Sequence, residues 1–248
     1  MTASSSSSAS GASSHSSESS CELSSYALCY WEKLFSSRNW GAYPPEELIR
    51  FVARHFGALA DRSQVRVLEV GCGPGPNVWY LAREGYQVAG IDGSATAIRR
   101  ARERLVEEGL SSASETFDLR VGNFVNLPWP DGAFDAVVDV AALYANTVAD
   151  IRQTIGEIHR TLKPDGLFFG KMFGVETTGS DSGELVEPGT RRGLTHGPCA
   201  GNEIAHFFSY QELQALFRDF SSVAIDSMLR TEHKGETRIF HWLVTVRK

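Results

Sequence analysis

The chain has 248 residues, 42% of them hydrophobic, which suffices to bury one α/β-sized core but not two full domains. A formal net charge of −6 leaves no overall basic surface to neutralise phosphates, which argues against DNA or RNA as a substrate. The four cysteines form no C-x-x-C pair, so neither a disulfide framework nor a metal site is expected and a reducing cytoplasm is the natural location; no apolar run is long enough for a membrane span.

Residues 1–25 are dominated by serine and carry no Lys or Arg, unlike a signal peptide. With almost no apolar side chains to offset the entropy of ordering, this segment reads as a disordered leader ahead of a domain spanning 26–248. Tyr26, Tyr30, Trp31, Leu34 and Phe35 then recur at helical spacing, followed by Trp40 and Tyr43, which predicts an aromatic cap over 26–45. After Pro44-Pro45, the stretch Glu46 to Phe56 places Leu48, Ile49, Val52 and Phe56 on one helical face, with acids in its first turn.

A βαβ alternation follows. Residues 65–70 read as a buried strand, 77–84 as a helix, 87–91 as a strand and 94–108 as a helix ended by Gly109, an order that makes the strands parallel. Residues 117–121 and 134–140 are the third and fourth strands, the latter entered through Pro130-Asp131-Gly132. A capping box from Thr147 to Asp150 opens the next helix, which stops before Lys163-Pro164-Asp165-Gly166, and 167–172 is a fifth strand.

From 173 to 205 the chain is rich in Gly, Ser, Thr and Pro without periodicity, and a loop that long is expected to be a lid over a site. A second capping box, Ser209 to Glu212, opens a helix, and strands near 223–229 and 239–246 close the chain as an antiparallel pair. The expected fold is α/β: a Rossmann-like, mostly parallel sheet with helices on both faces and an antiparallel C-terminal strand pair.

The strongest chemical signal is Val67-Leu68-Glu69-Val70-Gly71-Cys72-Gly73-Pro74-Gly75, an apolar strand running into a loop with glycine at every second position. Without Cβ atoms the backbone can approach a ligand closely, at the sheet edge where open α/β sheets bind ligands. Asp92, at the end of the second strand, is placed to accept hydrogen bonds from both hydroxyls of a ribose. A dinucleotide fingerprint would need a third glycine where Pro76 stands, so a nucleoside without a diphosphate fits better.

These residues resemble the class I S-adenosylmethionine-dependent methyltransferases. The likeness runs through Gly90-Ile91-Asp92-Gly93-Ser94, Gly122-Asn123, the run from Leu127 to Asp135, and Leu162-Lys163-Pro164-Asp165-Gly166, covering roughly residues 46–172. The resemblance implies S-adenosylmethionine as cofactor, with Gly71, Cys72, Gly73 and Gly75 along its methionine moiety and ribose. It has Glu69 orient the amino group, Asp92 and Gly93 hold the ribose, and Asn123 and Phe124 meet the adenine. Val140 and Ala141 would flank the cofactor, and Tyr144 would face the transferable methyl. The aromatic N-terminus is similar to the cap of small-molecule methyltransferases, where Trp31 or Trp40 could meet the sulfonium through a cation–π contact or both simply close the core.

His196 and His206, at either end of the expected lid, are candidate bases, and Arg191-Arg192 a candidate anion grip on the acceptor. Cys72 in this setting is a small residue beside the cofactor, not a nucleophile. The sequence therefore predicts methyl transfer to an N, O or S atom of a small polar metabolite by direct in-line displacement. A noncatalytic cofactor-binding regulatory module and, behind it, an NAD-dependent oxidoreductase are the competing readings.

Overall fold

The computed structural model describes residues 29–110 and 117–248; the leader expected at 1–25, with Tyr26, lies outside the described residues. Residues 29–37 are helical (α1), followed by α2 (Glu46–Phe56), β1 (Arg66–Val70), α3 (Pro76–Arg83), β2 (Gln87–Asp92), α4 (Ala95–Glu107), β3 (Phe117–Val121) and β4 (Phe134–Val140). Then come α5 (Val148–Thr161), β5 (Leu162–Phe173), β6 (Glu184–Glu187), β7 (Thr190–Arg192), β8 (Ala205–His206), α6 (Tyr210–Leu216), β9 (Ser222–Glu232) and β10 (Thr237–Arg247).

The main sheet has seven strands in the order β3-β2-β1-β4-β5-β10-β9. Strands β1 to β5 pair in parallel and β10 runs antiparallel between β5 and β9, as the C-terminal pattern predicts. Strand order reverses between β1 and β4, and that switch point fixes where a ligand can enter at the C-terminal edge.

Local signals set the helix starts. Pro76 sits at the first position of α3, where its missing N–H costs nothing, and the Ser94 hydroxyl caps α4 by accepting from the Ala97 amide at 3.0 Å. Thr147 and Ser209 cap α5 and α6 through the amides of Asp150 and Glu212, each at 3.2 Å. Apolar residues on both faces of the central strands, among them Leu68, Val137 and Phe168 on one and Val67 and Val138 on the other, are buried, each such side chain contributing about 1.5–3 kcal/mol of transfer free energy.

Two expectations need correction. The fifth strand begins five residues early, at Leu162, because the pairing register shifts between Phe134 and Ala136 and lets the Pro164-Asp165-Gly166 segment bulge outward. Residues 173–205 are not structureless: β6, β7 and β8 form a small antiparallel sheet, and Leu194, Cys199, Ile204 and Ala205 are buried in the core. The absence of long periodicity reflected strands of two to four residues, too short to show one.

Candidate active site

A cavity of about 920 Å³ opens at the C-terminal edge of the parallel strands, between the glycine loop and the aromatic cap. Gly71, Gly73 and Gly75 all have positive φ, 64°, 52° and 81°. Their reasons differ. A Cβ on Gly71 would lie 2.2 Å from the Cβ of Ala142, and one on Gly75 would lie 2.7 Å from that of Ala101, whereas Gly73 faces only the Phe35 ring at 3.4 Å. Gly71 and Gly73 line the cavity; Gly75 does not. The third glycine of the motif thus serves close packing of the loop on α4, a correction to its expected place beside a ligand.

Asp92 is buried, its Oδ2 accepting from the Gly73 amide and its Oδ1 from the Ser94 amide, both at 2.8 Å. Burial raises its pKa against these two amides, and each carboxylate oxygen keeps a second acceptor position for a ligand hydroxyl. Glu69, also buried, accepts from the Asn77 amide at 2.6 Å through Oε1, while Oε2 has no partner. Burial, with help from the Asp139 and Asp92 carboxylates, pushes its pKa well above the usual range, and a cationic amino group placed at Oε2 would restore the charged form.

Sequence reasoning missed Asp139, hidden in the apolar run of β4. Its Oδ1 accepts from the amides of Ala142 and Leu143 at 2.9 and 3.1 Å, and burial raises its pKa to about 7. This carboxyl holds the turn after β4, where Ala141 has φ 55°, a strained value for a residue with a Cβ, and so presses Ala142 against Gly71.

Asn123, Phe124, Val140, Ala141, Gly93 and Cys72 all line the cavity, as does Trp31, which stacks on Phe35 at 5.6 Å. Asn123 spends one acceptor position on the Val125 amide at 3.1 Å. Cys72 is buried, and burial drives its thiol well above its ordinary pKa, consistent with an inert space-filling role. The cap is tied down from the other side: Glu32 accepts from the hydroxyls of Ser94 and Thr96, and Arg100 and Arg104 donate to the carbonyls of Arg38 and Ala42 at 2.8 and 2.6 Å.

Tyr144 reaches the cavity, its hydroxyl accepting from the Asn202 side chain at 2.9 Å, and Tyr30 in turn donates to Asn202 at 3.1 Å. Burial raises its pKa, so it stays a phenol. Neither predicted histidine is brought there. His206 is fully buried, engaging Thr190 through Nδ1 at 2.7 Å with Nε2 2.9 Å from Glu212, because β8 turns its side chain into the core. His196 is exposed and bonds only its neighbour Thr195 at 3.1 Å. Arg191 and Arg192 are spent on Gly183 and Glu184 across the β6–β7 hairpin, at 3.3 and 2.9 Å. Lys171, Phe173 and His241 line the cavity instead, on β5 and β10, strands whose apolar runs read only as core. Among the described residues no cluster of His, Cys, Asp or Glu could hold a metal ion.

A close-approach glycine loop, a buried carboxylate with free acceptor positions and an orphaned Glu69 oxygen together fit a nucleoside carrying an amino-acid tail. Residues 68–170 match the family model described as methyltransferase domain. A structure of an S-adenosylmethionine-dependent methyltransferase from Methanosarcina mazei is 26% identical, with a TM-score of 0.63 over 79% of this chain and 96% of that one. The Burkholderia thailandensis 1,6-didemethyltoxoflavin-N1-methyltransferase, solved with bound 1,6-didemethyltoxoflavin and S-adenosylhomocysteine, shares the fold at TM-score 0.60 and 18% identity, covering 97% and 92% of the two chains.

A sterol 24-C-methyltransferase of Gibberella zeae is 32% identical over 163 residues, 63% of this chain but 41% of the relative. The chain spans less than half the length of the curated relatives it matches. Over residues 68–170 the chain carries a methyltransferase domain on a Rossmann-like fold, similar to the class I methyltransferases. S-adenosylmethionine is the cofactor its site fits.

Proposed function

We propose that the chain transfers a methyl group to an N, O or S atom of a small polar metabolite by direct in-line displacement. One observation carries the reading: the glycine loop with Asp92 and a second set of residues, Tyr144, Lys171, Phe173 and His241, line a single cavity. When bound, the cofactor supplies a sulfonium methyl already activated for displacement. The protein's share is alignment and exclusion of water. Gly71, Gly73 and Asp92 hold one partner, Glu69 orients its amino group, and Trp31 closes the top with an electron-rich ring. Tyr144, kept protonated, positions the acceptor; it is no base.

Residues 26–248 act as one domain in this reading, with 26–45 as its cap. Three free cysteines among the described residues agree with a reducing, cytoplasmic setting. No helix among the described residues is long and apolar enough to cross a membrane.

Calorimetric titration with S-adenosylmethionine, S-adenosylhomocysteine and NAD separates this reading from an oxidoreductase, which would bind NAD. Incubation of a fractionated cell extract with methyl-labelled cofactor then reads the acceptor. Label in the low-molecular-weight fraction is expected. Label mainly in nucleic acid or protein would overturn the small-molecule acceptor, label in lipid would point to an apolar one such as the sterol relative's name indicates, and none at all would favour a noncatalytic module.

A further inference from the structure

The cavity wall opposite the glycine loop is built from four elements. Glu47 on α2 and Lys171 on β5 form an ion pair at 3.0 Å, with side chains only 15% and 13% exposed. A half-sealed pair of this kind gains little stability, since desolvating two charges offsets most of their attraction. Lys171 gives Glu47 one of its three ammonium protons; no protein acceptor takes the others. Arg230, on β9, also lines the cavity but is paired with Glu232 at 2.8 Å, and Glu46 lines it beside Glu47.

His241, on β10, lies beside them. Its ring is buried, packed 4.5 Å from Phe173, which itself meets Tyr144 at 4.7 Å, so the wall has a continuous aromatic floor. Nδ1 is sealed and without a partner. A buried N–H left unpaired costs more than a buried lone pair, so the stable tautomer carries its proton on Nε2, the nitrogen on the cavity side. Burial, with the nearby Lys171 and Arg230 charges outweighing Glu47, holds the imidazole neutral, with a pKa of about 4. Lys171, with two ammonium protons to spare, and the His241 Nε2–H are then the donors of this wall, beside the Phe173 ring that His241 packs on.

Resting on the methyltransferase reading, we propose that Lys171 and His241 with Phe173 and Tyr144 form the acceptor subsite, and that it selects a flat aromatic or heteroaromatic molecule bearing an anionic oxygen group, such as a carboxylate. Lys171 and His241 grip the oxygens while Phe173 and Tyr144 hold the ring, and this donor set takes over the anion grip that Arg191 and Arg192 do not provide.

The probes are benzoate, its neutral isostere benzamide, and the non-aromatic cyclohexanecarboxylate, each titrated into the full chain saturated with S-adenosylhomocysteine. The readouts are calorimetry and the His241 ring signal by NMR. Benzoate should bind at least about tenfold tighter than either control and shift the His241 signal. Lys171→Gln alone leaves Glu47 uncompensated, so the test variant is the double substitution Glu47→Gln with Lys171→Gln, which keeps the wall's charge balance; it should lose benzoate binding by about tenfold or more and still bind S-adenosylhomocysteine. Equal binding of benzoate and benzamide, an unmoved His241 signal, or undiminished benzoate affinity in the double variant overturns the subsite. Failure of S-adenosylhomocysteine itself to bind would instead overturn the methyltransferase reading beneath it.

Discussion

The Glu32 carboxylate on the N-terminal helix meets the Thr96 hydroxyl on α4 at 2.6 Å, across 64 residues of sequence. Further bonds from Ser94 Oγ at 2.5 Å and the Thr96 amide at 3.2 Å make Glu32 the acceptor that fastens the aromatic cap beside the Asp92 end of the cavity. The contact joins the rim of the cofactor site to the first turn of α4.

Replacing Glu32 with Ala should therefore loosen the cap without unfolding the sheet. Cofactor affinity is expected to fall by about threefold to tenfold, the loss of one or two net hydrogen bonds, as read by calorimetry. Hydrogen bonds from Ser94 and Thr96 hold the Glu32 pKa down to about 2, against 4.5 ordinarily. For a depressed acid the stabilisation is present above the ordinary value and vanishes as pH falls through the folded one, so the wild-type advantage over the variant should persist at pH 5 and disappear towards pH 2.

Asp92→Ala tests the ribose grip. Since both Asp92 oxygens also hold backbone amides, of Gly73 and Ser94, the substitution removes loop bonds along with ligand bonds. It should weaken cofactor binding by roughly 1–3 kcal/mol and also lower the thermal midpoint, the two orphaned amides accounting for the second effect. Unchanged cofactor affinity in a folded variant would remove Asp92 from the site.

The parallel strands, the cap helix and the glycine loop were legible because each rests on a short-range signal: alternating or continuous apolar runs, capping hydroxyls at Thr147 and Ser209, and glycines at a strand end. The cavity wall of Lys171 and His241 was not. Lys171 and His241 meet only because β10 pairs antiparallel with β5, bringing His241 opposite Phe173, a relation of residues far apart in the chain. His206 looked available from its place at a loop end, but its strand turns it inward, and no pattern in two residues of strand could show that. Asp139 was masked by its apolar neighbours, which signalled a buried strand and nothing about the turn its carboxyl holds.

Asp139→Asn separates that turn-holding role from the charge. An amide oxygen can still accept from Ala142 and Leu143, whose amides now bond Oδ1. The wild-type carboxyl has its pKa raised by burial from 3.8 to about 7, so the folded state holds a proton that the unfolded state releases, and stability falls as pH rises from about 4 to about 7. The variant should lack this decline. Denaturant titrations of the cofactor-free protein at pH 5 and pH 8 should show a smaller stability difference for Asp139→Asn than for wild type; equal differences would mean that another group carries the effect.

Gly73→Ala and Gly75→Ala should divide the loop's two roles. Each glycine has positive φ, so each alanine bears a left-handed backbone cost of about 1–2 kcal/mol. Beyond that they part. The new Cβ at 75 would stand 2.7 Å from the Ala101 Cβ, inside the packing of loop on α4, so Gly75→Ala should show the larger drop in thermal midpoint. Adding Ala101→Gly to it should recover the clash but not the backbone cost. At 73 the Cβ would meet only the Phe35 ring at 3.4 Å, yet it would project into the cavity beside Asp92. Gly73→Ala should therefore fold with a modest loss of stability and lose cofactor affinity by at least about tenfold, read by calorimetry. The opposite ranking, with Gly75→Ala the weaker binder and Gly73→Ala the less stable fold, would place the ligand along the third glycine and overturn the division drawn from the loop geometry.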